Sequence, residues 1–187
     1  LLGTVTKWNS LLTGAGRVHL IACGGTALTL LGYKESTKDI DLIIPEVREY
    51  ERFVDFLRKA GYRQDSGSSG WRYPGESIVY DLYEGKRVFT TELLDSPLGK
   101  GRNRKVLELR RVYLGVLNPI DLIITKMFRG TSVDREDCLT LARHEEIDLT
   151  ELEARYRETA SYDTSEERVL KNLDAILGEL KKIRGVR

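Results

Sequence analysis

Hydrophobic positions fall into short blocks over the first two thirds of the chain and at helical spacing thereafter. Leu1, Val5, Trp8, Leu11 and Leu12 lie near one face of a helix over residues 1–13, closed by the glycines of T-G-A-G. R-V-H-L-I-A-C follows as an unbroken apolar run, the pattern of a buried strand, and Gly24-Gly25 ends it. Residues 26–31 read as a short apolar helix stopped at Gly32, and residues 39–44 as the next strand. Pro45 suits a first helical turn, and V-R-E-Y-E-R-F-V-D-F-L-R-K-A keeps helical spacing until Gly61.

The pattern then changes to turns and strands. A turn-rich segment carries an expected mobile loop at 65–70. S-I-V-Y-D-L-Y and K-R-V-F-T, joined by Glu84-Gly85, predict a strand pair. K-V-L-E-L and V-Y-L-G-V-L predict one or two further strands. Asn118-Pro119 opens a helix, since Asn caps well and Pro is favoured at the first helical position, and Gly130 stops it. Helices are also expected over residues 134–143, from near Thr150, and from a Thr164/Glu167 capping box to about Ile183. The fold class is therefore α+β, with an α/β core over residues 1–117 and a C-terminal helical region over 118–187 packed on it.

Composition changes this picture little. With 41% hydrophobic and 32% charged residues the balance is that of a soluble globular chain. No apolar run approaches the roughly 20 residues of a membrane span and no leader pattern is visible, so a cytoplasmic protein with no membrane partner is expected. Two cysteines, Cys23 and Cys138, suggest neither a disulfide framework nor a zinc site. The net charge is +1, but basic residues cluster in G-K-G-R-N-R-K, at Arg110-Arg111 and in the terminal K-K-I-R-G-V-R, where they could meet phosphates.

The stretch 23–42 carries the candidate chemistry. Side chains alternate along a strand, so Asp39 and Asp41 project from one face while Ile40 and Leu42 point to the other. Two carboxylates that close repel, and a divalent cation is the usual remedy. Mg²⁺ (or Mn²⁺) binds a few carboxylates and keeps positions for substrate phosphates. Gly24 and Gly25 at a helix start leave N–H groups open to a phosphate, and Thr26 adds a hydroxyl.

G-G-T-A followed by S-T-K-D-I-D-L resembles the signature of the DNA polymerase β-like nucleotidyltransferase superfamily. More narrowly it is similar to the minimal, AbiEii-toxin-related group. The resemblance implies a nucleotidyltransferase-type mixed sheet flanked by helices, with Asp39 and Asp41 as metal ligands and a third carboxylate on a neighbouring strand. Asp81 in I-V-Y-D-L-Y is the match for that third group, and Glu108 in V-L-E-L is the reserve. L-N-P-I-D-L-I-I-T-K-M-F-R-G-T-S-V-D-R-E-D-C-L-T-L is similar to a later shared segment and maps Lys126, Asp134 and Asp137. Relatives often carry an Arg just before T-x-D-x-D, whereas this chain has Glu35 and Ser36, with Lys34 as the nearby cation.

On this reading the protein moves a nucleotide from a nucleoside triphosphate (NTP) to an acceptor hydroxyl. Asp39, Asp41 and Asp81 hold the metal, and Asp81 helps deprotonate the acceptor. Lys126 and Arg129, three residues apart on a similar helix face, neutralise phosphate charge, and Asp137 orients Lys126. The basic stretch Lys100–Lys105 leans towards RNA or tRNA as acceptor, and the resemblance implies a toxin-antitoxin setting with an antitoxin or other protein as partner. The alternative is a catalytically weak nucleotide-binding or partner-binding module of the same fold. His19 and His144 have no ligand-like spacing and read as structural. No G-x-S-x-G, Walker loop or G-x-G-x-x-G supports a hydrolase, a P-loop NTPase or a dinucleotide enzyme.

Overall fold

The computed structural model describes residues 1–65, 68–183 and 185, so the loop expected at 65–70 and the terminal basic run lie partly outside the described residues. The chain runs α1 (Leu2–Leu11), β1 (Val18–Ala22), α2 (Gly24–Leu30), β2 (Asp39–Ile44), α3 (Val47–Lys59), β3 (Arg63–Gln64), β4 (Gly70–Arg72) and β5 (Val79–Glu84). Then come β6 (Arg87–Val88), β7 (Thr91–Glu92), β8 (Asn103–Glu108), β9 (Val112–Leu117), α4 (Pro119–Arg129), α5 (Ser132–His144), α6 (Leu149–Ala160) and α7 (Glu166–Ile183). This is the expected α+β class.

One seven-stranded sheet in the order β3-β4-β5-β2-β1-β9-β8 organises the molecule. It is mixed: β1 runs parallel to β9 and β2 parallel to β5, while β1/β2, β3/β4, β4/β5 and β8/β9 are antiparallel. The central strands β1, β2 and β9 are almost wholly buried, which explains their unbroken apolar sequences. On one side Trp8 of α1 packs edge-on against Phe53, Tyr62 and Tyr80, and its indole N–H donates to the Tyr62 hydroxyl at 3.1 Å. Leu11, expected on that buried face, is half exposed, and Leu12 takes the inward position.

Several expected boundaries shift for local reasons. α2 spans Gly24–Leu30, so both glycines lie at the helix start as expected, with Gly24 itself in the left-handed region. Glu46 takes the N-cap position of α3, which leaves Pro45 outside the helix. α5 begins at Ser132 because Thr131 and Asp134 form a reciprocal capping box. α7 begins at Glu166, after an Asp163 carboxylate that accepts from the Ser165 N–H, rather than from a Thr164 cap. The Asn118 cap, Pro119 first turn and left-handed Gly130 of α4 are found as read, with the Asn118 side chain accepting from the Asp121 N–H at 3.0 Å.

The larger correction concerns the strand after Glu84-Gly85. β5 does not form a hairpin with β6: its two edges are taken by β2 and β4, and β6 pairs with β7 instead. A strand with both ladders filled has no edge left for its sequence neighbour.

The helical region is stitched to the sheet by ion pairs. The Arg104 guanidinium donates to both Glu145 carboxylate oxygens at 2.9 and 2.8 Å, and the Tyr33 hydroxyl donates to Glu145 at 2.7 Å. Arg155 bridges Asp95 and Asp121, each at 2.8 Å. Within the region, Arg168 and Asn172 of α7 donate to the Phe128 and Met127 carbonyls at the end of α4, both at 2.8 Å. Val169, Leu173, Ile176, Leu177 and Leu180 form the buried stripe of α7.

Candidate active site

The site forms where β1 ends early. The β1/β2 ladder covers only Ile21↔Ile43 and Ala22↔Leu42, after which the chain turns into α2. The start of β2 is then held by α2 rather than by a strand. The Cys23 N–H donates to the Asp41 carbonyl at 3.1 Å, and the Asp41 N–H donates to the Thr26 hydroxyl at 2.9 Å. That hydroxyl in turn donates to the Asp39 carbonyl at 3.3 Å. Thr26 is only 2% exposed and its single hydroxyl proton is used inside the fold. Thr26, expected to add a hydroxyl to a nucleotide site, here clamps the start of β2.

On the other edge of β2 the register places Asp41 beside Asp81 of the parallel strand β5, and Asp39 beside Val79. Asp39, Asp41, Asp81 and Tyr83 therefore share one face of the sheet. Glu108, the reserve candidate, lies on the far edge strand β8, where it accepts from Arg17 and Lys105. It takes no part in this site.

The Asp41 carboxylate packs against the Gly24 backbone. Gly24 has φ +57°, and a Cβ there would collide with Asp41 Oδ2, so glycine is required both by the left-handed backbone and by the close approach. Gly25 is tight for a related reason, since a Cβ would stand 2.7 Å from Thr37 Oγ1. Asp41 Oδ1 accepts from the Tyr83 hydroxyl at 3.3 Å, and Asp81 Oδ1 accepts from the Ser69 hydroxyl at 2.9 Å. Neither Tyr83 nor Ser69 was singled out from sequence. Two-residue alternation from Asp81 points to Tyr83, whereas nothing local marks Ser69.

The charge on this face is only partly relieved. Burial, then the Asp81 charge, pushes the Asp41 carboxyl up to about 6, against opposing pulls from Lys126 and the Tyr83 hydrogen bond. Burial likewise raises Asp81, with the Asp39 charge adding to it and the Ser69 hydrogen bond opposing. Among the described residues no Lys or Arg forms an ion pair with Asp39, Asp41 or Asp81. Cys23 is fully buried, and burial and the Asp41 charge push its thiol well up, so it is no nucleophile.

A second group of charges, from the α2–β2 loop, α4 and α5, stands behind the first. Lys126, only 3% exposed, donates to Asp137 Oδ2 at 2.7 Å and lies 3.8 Å from Asp134. Lys34 reaches the same Asp137 carboxylate at 3.0 Å. Arg129 forks onto both oxygens of the fully buried Asp134 and lies over the Phe89 ring, 4.5 Å from its centroid. Burial favours the neutral acid at Asp134, but hydrogen bonds from Arg129 and Thr131 outweigh it and hold the carboxyl low. Asp137 thus orients Lys126 and also engages Lys34, the cation nearest the Glu35-Ser36 departure.

Among the described residues no group of three or more His, Cys, Asp or Glu side chains stands close enough to hold a metal ion. Asp41 and Asp81 fit a hard divalent cation in donor type and in surplus charge, without forming a finished coordination shell. The basic stretch 99–105 is largely neutralised from within. Arg102 pairs with Asp95 and Glu151, Arg104 with Glu145, and Lys105 with Glu108. Its expected role as a free phosphate-binding surface is corrected accordingly, with Lys100 left exposed.

Residues 100–183 match the family model described as "Nucleotidyltransferase of unknown function (DUF6036)". This is less than half of the chain; it contains Lys126, Arg129, Asp134 and Asp137 but not Asp39, Asp41 or Asp81. No curated protein matches in sequence. Among solved structures, ANT(2")-Ia in complex with adenylyl-2"-tobramycin is 13% identical, covering 95% of this chain and 93% of that one with a TM-score of 0.45. An H. pylori protein described as a candidate nucleotidyltransferase is 16% identical, covering 99% and 96% with a TM-score of 0.45.

Proposed function

We propose that the protein is a metal-dependent nucleotidyltransferase that moves a nucleoside monophosphate from an NTP to an acceptor hydroxyl. The observation that carries this reading is the Asp41–Asp81 pair. Two carboxylates stand side by side on adjacent strands, both pushed up by burial and by neighbouring acid, and among the described residues no Lys or Arg forms an ion pair with either. The match of residues 100–183 to a nucleotidyltransferase family model supports the same reaction class.

Mg²⁺ or Mn²⁺ held by Asp41 and Asp81, with Asp39 further along the same face, would supply the positive charge that an NTP and its leaving group need. Gly24 and Gly25 allow the chain to pass close to that position without a side chain in the way. Asp81 Oδ1, which accepts from the Ser69 hydroxyl, would take the proton of an acceptor. Lys126 is held by Asp137 behind Asp41, where its charge offsets part of the carboxylate repulsion. Arg129, bound to Asp134, contributes to the same field from further off. The AbiEii-type, toxin-like setting and an RNA or tRNA acceptor rest on motif resemblance, and the paired state of residues 102–105 argues for no particular acceptor.

A second reading, a nucleotide-binding module with weak catalysis, is favoured by one observation: Lys34, Lys126 and Arg129 are all committed to carboxylates. The two separate in one assay. Wild-type protein, Mg²⁺ and NTPs labelled at the α-phosphate are offered RNA, protein and small polyhydroxylated acceptors. Label transfer that is abolished by Asp39→Ala and by Asp41→Ala is expected. Nucleotide binding without transfer to any acceptor supports the second reading, and equal transfer by both variants refutes the site.

A further inference from the structure

We propose that Ser69 is a self-modification site: its hydroxyl takes a nucleoside monophosphate from an NTP bound at Asp41 and Asp81. This rests on the nucleotidyl-transfer reading above. Among the described residues two hydroxyls donate to the three candidate carboxylates, Tyr83 to Asp41 and Ser69 to Asp81. Tyr83 is buried, whereas Ser69 is partly exposed on the segment before β4. Its Oγ lies 2.9 Å from Asp81 Oδ1, the contact that a nucleophile makes with its general base.

The backbone holds Ser69 in this position. The Leu82 N–H donates to the Ser69 carbonyl at 3.1 Å, and Gly70 is the β4 partner of Asp81 in the ladder. A Cβ on Gly70 would stand 2.9 Å from Val79 Cγ1 and 3.5 Å from Asp81 Oδ1, so the glycine lets the segment lie against β5. Two neighbouring hydroxyls among the described residues are otherwise employed. Ser68 donates to the Asp65 carbonyl and accepts from the Gly70 N–H, and Thr37 donates to the Asp39 carbonyl.

In the reaction, Ser69 Oγ forms a bond to the α-phosphorus. The bond from that phosphorus to the oxygen bridging to the β-phosphorus breaks, and pyrophosphate leaves with the electron pair. The hydroxyl proton passes to Asp81 Oδ1. The product, a phosphodiester on Ser69, occupies the acceptor position beside Asp81 and so restrains transfer to other molecules.

The test uses the whole chain with Mg²⁺ and each common NTP, labelled at the α-phosphate, with no added acceptor. NTP binding is followed by thermal shift in the same samples. Label is expected on the peptide containing Ser69, lost in Ser69→Ala and retained in Ser69→Thr and Ser68→Ala, with all variants melting as the wild type does. NTP binding without label, or label that survives Ser69→Ala, overturns self-modification but not transfer to external acceptors. Failure of the wild type to bind any NTP overturns both.

Discussion

The carboxylate face of β2 and β5 and the charged cluster of α4 and α5 are equally rich in ionisable groups and opposite in how they are satisfied. In the cluster, Lys126, Asp137, Asp134, Arg129 and Lys34 complete one another, and the buried acid Asp134 is held ionised. On the sheet face, the side-chain hydrogen bonds to Asp41 and Asp81 among the described residues come from hydroxyls, and burial drives both carboxyls towards protonation. A paired buried charge tells of architecture, because removing one member strands the other. An unpaired buried charge that persists tells of a ligand.

The largest effect should come from breaking the satisfied side. Asp137→Ala leaves Lys126 buried with Asp134 as its remaining acid at 3.8 Å, and a cost of about 3–5 kcal/mol is expected in chemical denaturation. A cost under about 1 kcal/mol would mean that the cluster is not as closed as its geometry implies.

The opposite sign is expected on the sheet face. Asp41 titrates at about 6 when folded and at about 4 unfolded, so the folded state binds the proton more tightly. Its contribution is complete below about pH 4 and is lost as pH rises through about 6. Asp41→Asn should therefore stabilise the metal-free protein by about 1–3 kcal/mol at pH 8, with the gain vanishing near pH 4. Paired melts across that range check it, and a loss of stability at pH 8 would show that ionised Asp41 supports the fold.

The smallest effect belongs to the exposed seam. Arg104 pairs bidentately with Glu145 but is itself more than half exposed, so Arg104→Ala should cost under about 1 kcal/mol and lose most of that in high salt. A salt-independent loss of several kcal/mol would place this contact with the buried cluster instead.

Sequence legibility followed how local each signal was. Asn118, Pro119 and Gly130 act through their own backbone, and α4 is found where they put it. The D-x-D strand was equally plain, because alternation alone puts both acids on one face. Pairing was not local. Glu84-Gly85 looked like a hairpin turn, yet β2 and β4, distant in sequence, took both edges of β5. The contact between Asp137 and Lys126 was anticipated from mapped segments, but the depth of Lys126 was not, since a helix lysine carries no mark of burial. The basic run 99–105 misled for the converse reason, as its acid partners lie on other elements.

The central claim is that Asp41 and Asp81 stay without an ion-pair partner because a metal-bound NTP completes them. Its most direct test is calorimetric titration of wild-type protein and Asp41→Asn at pH 8 with each common NTP, with and without Mg²⁺. The account predicts saturable, Mg²⁺-dependent binding of at least one NTP to the wild type and none to Asp41→Asn. Equal binding by both proteins, or binding indifferent to Mg²⁺, would contradict it.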